Sequence, residues 1–146
     1  MDPRDVQTRL ALAYLGTAAS ADRNGSIIDM QGYESAKFVV TMHSVAASAV
    51  TSIKVQQGAA ANMSDAADLE GTSISVADDD DGEVFVISIV KPQERYLRLV
   101  VDKDASNNTD ESATVELYGA RTLPALANVT DEVTHEIHVS PSEGTA

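Results

Sequence analysis

Residues 83–90 read EVFVISIV and residues 95–102 read RYLRLVVD, with Pro92 between them. In the second stretch Leu97, Leu99 and Val101 recur at every other position while Tyr96 and Arg98 fall between them. That period of two belongs to a strand with one face in a core. In the first stretch Phe85, Ile87 and Ile89 alternate with Val84, Val86 and Val90, so both faces are apolar. A strand of that kind is either central and covered or lies under a subunit contact.

The same reading extends outward in both directions. KFVVTMH (37–43), TSIKVQQ (51–57), SISVA (73–77) and ATVELYG (113–119) are further short segments with strand periodicity. Ala36, Phe38, Val40 and Met42 share one face, with Lys37, Thr41 and His43 on the other. Ile53 and Val55 alternate with Lys54 and Gln56, and Val115 and Leu117 with Glu116 and Tyr118. Ser26 to Met30 reads as a first strand between two turn signals, Asn24-Gly25 and Gln31-Gly32. The loops are polar: GAAANMSDAADLEG (58–71), the four aspartates Asp78 to Asp81 before Gly82, and DKDASNNTDES (102–112). The predicted fold is all-β, a single antiparallel β-sandwich of jelly-roll or immunoglobulin-like type.

Two flanks bracket this body, giving a division into an N-terminal arm (1–24), the sandwich (25–120) and a C-terminal extension (121–146). In the arm, Asp2 is a cap, Pro3 suits a first helical position, and Val6, Leu10 and Ala13 recur at helical spacing before Gly16. A helix this short needs a surface to dock on, either its own sandwich or a neighbouring subunit. In the extension, Val133, His135, Ile137 and Val139 alternate with polar residues, which predicts an added strand able to pair with its own sheet or a neighbour's edge, the competing reading being a helical spacing of Val129, Val133 and Ile137 that β-branching weakens.

A chain of 146 residues is one domain, able to bury about 70% of its unfolded surface without staples. Cysteine is absent, which removes disulfides and thiolate chemistry and suits assembly in a reducing cytoplasm. The opening residues lack the layout of a signal peptide and no stretch approaches a membrane span, so secretion and anchoring are not expected. A net charge of −13 with scattered Arg and Lys argues against nucleic-acid binding.

Chemistry is sparse. His135 and His138 lie three apart and project to opposite faces of a strand, which does not make a metal site. Asp102 to Ser106 imitates the start of a calcium loop, but Asn107 stands where glycine is needed and Ala113 where the closing glutamate belongs. The turn at Asp78 to Asp81 could hold a hard cation through its carboxylate oxygens, with a solvated acidic turn as the plainer reading. No nucleophile elbow, phosphate-binding Gly-rich loop or His-Glu-x-x-His is present, so neither an enzyme nor a cofactor is expected.

The segments IDMQGYESAKFVVTMHS, IKVQQG, ERYLRLVVD and ATVELYGAR, spanning about residues 25–123, resemble small proteins encoded beside the major capsid genes of tailed bacteriophages. Such proteins look like capsid decoration, or cement, proteins, which bind the outer surface of an expanded head. The resemblance implies a virion location on the outer capsid surface after cytoplasmic assembly, the major capsid protein as partner, and self-association, with a homotrimer at local three-fold positions. On that reading the contacts come from Val6, Leu10, Leu12 and Leu15 in the arm and from Val133, Ile137 and Val139 in the tail. The rival readings are a carbohydrate- or host-surface-binding sandwich and a tail or head-completion protein. The absence of Trp weighs against sugar stacking.

Overall fold

The computed structural model describes residues 2–48, 50–104, 109–123, 125, 131–138 and 142–144. Among these, ten strands run in chain order: β1 (Gln7–Leu12), β2 (Arg23–Asn24), β3 (Ile28–Asp29), β4 (Ser35–Val45), β5 (Thr51–Gly58), β6 (Ala67–Asp68), β7 (Ile74–Val76), β8 (Val84–Val90), β9 (Tyr96–Lys103) and β10 (Thr109–Tyr118). They form two antiparallel sheets, the β-sandwich that the alternation predicts. The first sheet has the order β1-β10-β4-β8. The second is built on the pair β9-β5, with β2 and β3 along the free side of β9 and β6 and β7 along that of β5. No helix among the described residues is long and apolar enough to cross a membrane.

The inward positions are those that the period of two assigns. Phe38, Val40 and Met42 of β4, Ile87 of β8, and Val115 and Leu117 of β10 pack against Ile53 and Val55 of β5 and Leu97, Leu99 and Val101 of β9, with Ile28 beside them. Each such side chain contributes about 1.5–3 kcal/mol by leaving water.

The helix expected over residues 1–16 is corrected to a single 3-10 turn followed by a strand. Asp2 and Asp5 do form a capping box around Pro3–Asp5, so the start signal operates. The chain then pairs with β10, from Gln7 opposite Leu117 to Leu10 opposite Thr114. Pairing with an existing edge satisfies the backbone at once, whereas an isolated short helix is marginal in water. A register shift between Leu10 and Leu12 lets Ala11 and Leu12 both turn into the core.

The strand expected over Val133 to Val139 is also not found where the structure describes it. Residues 131–138 make no ladder pairing, and Val139 lies outside the described residues. The segment is held by a side chain instead: Glu132 accepts from Arg9 Nε at 2.7 Å and from the second guanidinium nitrogen at 3.1 Å, and it meets the Leu10 amide at 3.4 Å. Ala125 N adds a bond to Arg4 O at 2.8 Å. Glu132 therefore lies against β1 and Ala125 against the preceding 3-10 turn.

Asn24-Gly25 is not a hairpin turn. Gly25 N donates to Leu99 O and Ser26 N to Ala11 O, both at 2.8 Å, so the chain crosses here between β1 of one sheet and β9 of the other. A Cβ at Gly25 would sit 2.5 Å from Ala11 O and 3.0 Å from Leu99 O, so glycine is needed for close approach.

Candidate interaction surface

The two outer faces of the sandwich differ in chemistry. On the second sheet, Lys54 of β5 donates to Asp68 at 2.9 Å and to Asp102 at 3.3 Å, and Gln56 links Asp68 to Arg98. Beside it Arg95 clasps Asp29 through two bonds of 2.8 and 2.7 Å. These cations hold the carboxyls of Asp68 and Asp29 below the usual range, Asp68 chiefly through Lys54 and Asp29 through Arg95. This face is a charged lattice.

The outer face of the first sheet carries a band without charge. Register places Leu10 of β1 opposite Thr114 of β10, Thr114 opposite Val39 of β4, and Val39 opposite Val86 of β8. The neighbouring row is Ser112, Thr41 and Val84. Leu10, Val39, Thr41, Ser112 and Thr114 line a shallow hollow in this band. Along β8 the apolar surface is open: Val84, Val86 and Val90 are 56, 47 and 70% exposed. One side of the band is closed by Lys37 and Glu116, 3.3 Å apart. Glu116 also accepts from the Tyr118 hydroxyl, which lowers the carboxyl and pushes the phenol up to about 12. On the other side His43 bonds Ser112 at 2.9 Å and packs against Tyr14, with ring centroids 4.6 Å apart. The double-sided apolar pattern of residues 84–90 thus belongs to an edge strand, not a covered central one.

A buried charge cluster positions the connector that carries Tyr14. The side chains of Lys103 and Glu111 are 0% exposed, with Lys103 Nζ 2.9 Å from Glu111 Oε1, and Arg23 reaches the same oxygen at 3.0 Å. Thr109 donates its hydroxyl to Glu111 Oε2 at 2.8 Å. The two cations also hold backbone carbonyls of the connector, Arg23 that of Ala13 at 2.6 Å and Lys103 that of Ala19 at 3.0 Å. Sequence reasoning placed Lys103, Thr109 and Glu111 in a polar loop. They are instead inward residues at the end of β9 and the start of β10, and the cluster closes that end of the sandwich.

The residues expected to make contacts are dispersed. Leu12 is 4% exposed and belongs to the core, a correction to its reading as an arm contact. Leu10 lies in the neutral band, Val6 and Val133 are half-buried, and Leu15 and Ile137 are 54 and 50% exposed. Val39, Thr41 and Thr114 were not singled out from sequence, because only the register across three strands joins them to Leu10.

The acidic turn is a capping device: Asp78 accepts from Ser48 N at 2.7 Å, Asp80 from Ala77 N at 2.6 Å, and Asp81 from Val45 N. In the long loop, Asp65 likewise takes the amides of Ala59 and Ala60. No group of three or more His, Asp or Glu among the described residues is arranged to hold a metal ion.

No protein-family model and no curated protein matches the chain. Among solved structures, the fold is similar to that described as PBSX exported protein XepA, with a TM-score of 0.55 at 10% sequence identity. The match covers 95% of this chain and 42% of that one, so the chain spans less than half of XepA's length. The likeness is one of fold.

Proposed function

We propose that the chain is a structural virion protein of a tailed bacteriophage, a decoration protein that docks on the outer surface of the major capsid protein lattice. The observation that carries this reading is the uncharged band across β1, β10, β4 and β8 in a chain of net charge −13. A strongly acidic chain that leaves one neutral, partly apolar face has a face suited to desolvation by a protein partner. The sequence resemblance to capsid-associated proteins supports the partner, and the likeness to XepA supports the sandwich scaffold.

The contact mode differs from the arm-based one that the sequence suggests. With Gln7–Leu12 built into the sheet, docking uses a sheet face, with Leu15 and Ile137 as exposed apolar residues on the connector and tail. Cryo-electron microscopy of the particle, with copy number counted against the major capsid protein, tests the assignment. Hundreds of symmetric copies with the β1-β10-β4-β8 face inward are expected; a few copies at one vertex or on the tail would refute it. Thr114→Glu places a charge in the band at an exposed strand position and should weaken capsid binding without changing the fold.

A further inference from the structure

We propose that two copies of this chain join through their β8 edges, antiparallel about a two-fold axis at Ile87, to make one continuous eight-stranded sheet. The first argument is the state of the edge. Among the described residues β8 pairs with β4 alone, and its other side is open. The other free edges are managed: β1 is overlaid by Glu132, and the second sheet ends in strands of only two or three residues. Seven residues long, VFVISIV has no proline, no charge and no bulge, the features by which natural edges avoid pairing.

The second argument is self-complementarity. Met42 N donates to Glu83 O and Lys91 N to Glu34 O, in the same register that pairs β4 with β8. Phe85, Ile87 and Ile89, with the Glu83 carbonyl and the Lys91 N–H, therefore direct their backbone groups toward β4, and Val84, Val86, Ser88 and Val90 direct theirs outward. In an antiparallel copy centred on Ile87, Val84 faces Val90 and Val86 faces Ser88, which are the hydrogen-bonded pairs such an edge can form. Just beyond the strand ends, the same arrangement brings Glu83 of one copy near Lys91 of the other, with Lys91 in the left-handed region at φ 52°. Both are exposed, and neither makes an ion pair among the described residues. A strand bracketed by one negative and one positive residue, equidistant from its centre, is charge-complementary to its own antiparallel copy.

The pairing is isologous and closes at two, unlike the homotrimer suggested by the resemblance. It is a property of the chain in solution and does not depend on capsid docking. The full-length chain should sediment at twice its chain mass at micromolar concentration. Val86→Pro removes an outward N–H that the monomer fold does not use, and should give a monomer with unchanged far-ultraviolet circular dichroism. Lys91→Glu opposes two like charges at each end of the pairing and should raise the dissociation constant about tenfold, and Glu83→Lys in the same chain should restore it. A wild-type monomer, a trimer, or a folded Val86→Pro dimer would overturn the proposal. If Val86→Pro does not fold, failure of the charge swap to restore dimerisation would overturn it equally.

Discussion

Replacing Glu111 by Gln should destabilise the sandwich far more than any surface charge change. The substitution keeps the shape and can keep the Thr109 contact, since the new amide can donate where the carboxylate oxygen accepted at 2.8 Å. It removes the carboxylate charge that the Lys103 and Arg23 side chains share. Lys103 Nζ at 2.9 Å and Arg23 at 3.0 Å would then face a neutral oxygen, with the Lys103 side chain wholly cut off from water. Breaking a buried ion pair from one side costs about 3–5 kcal/mol. The carbonyls of Ala19 and Thr109, both 3.0 Å from Nζ, remain as neutral acceptors and place the cost near the lower end. At about 2–4 °C per kcal/mol for a domain near this size, the melting temperature should fall by about 10 °C. Calorimetry or denaturant titration reads this directly. Lys37→Ala, which breaks an exposed pair with Glu116, serves as the control and should change stability by less than about 1 kcal/mol. A Glu111→Gln loss no larger than that control would refute the view that this carboxylate neutralises two buried cations.

Gly25→Ala would drive a methyl into Ala11 O at 2.5 Å, and a loss of about 1–3 kcal/mol in chemical denaturation is expected from the forced separation of β1 and β9. A neutral result would mean that the crossing is looser than its two 2.8 Å bonds indicate. The Arg9 guanidinium holds the Glu132 carboxyl below its ordinary range. A group with a depressed folded pKa contributes stability that is complete above its unfolded pKa and lost as pH falls through the folded one. Exchange of the Leu10 amide, which meets Glu132 at 3.4 Å, should accordingly accelerate as pH falls below the ordinary glutamate range, after correction for the intrinsic rate, and Glu132→Gln should show the faster exchange already at neutral pH.

The body of the sandwich was legible because its strands obey one rule. Phe38, Val40 and Met42, then Ile53 and Val55, then Leu97, Leu99 and Val101 recur at every other position, and all of them are buried. The rule failed where a segment satisfied two templates. Residues 6–13 carry helical spacing of Val6, Leu10 and Ala13 after a sound cap, and only the open side of β10 decides for a strand. It failed again at Lys103 and Glu111, because a charged residue reads as loop until its counter-charges are known. Those counter-charges come from β2, β9 and β10, which only the folded topology brings together.

The candidate surface was legible in one element and hidden in the others. The two-faced apolar run at 84–90 announces either a covered central strand or a contact surface, and the structure removes the first reading by leaving β8 at an edge, among the described residues, with three exposed valines. Val39, Thr41, Ser112 and Thr114 are unremarkable singly, since isolated neutral residues on a sheet face need no explanation. What distinguishes them is that register places them side by side while the opposite face is laced with Lys54, Asp68, Asp102, Arg95 and Asp29. At a net charge of −13, like copies repel at long range, and only a neutral face or a matched pair of charges allows close approach. The first sheet offers both in adjoining places, the neutral band on its face and the Glu83 and Lys91 brackets on its edge. Face and edge can therefore be occupied at the same time, one by a different protein and the other by a second copy, without competing for the same atoms of β1, β10 and β4.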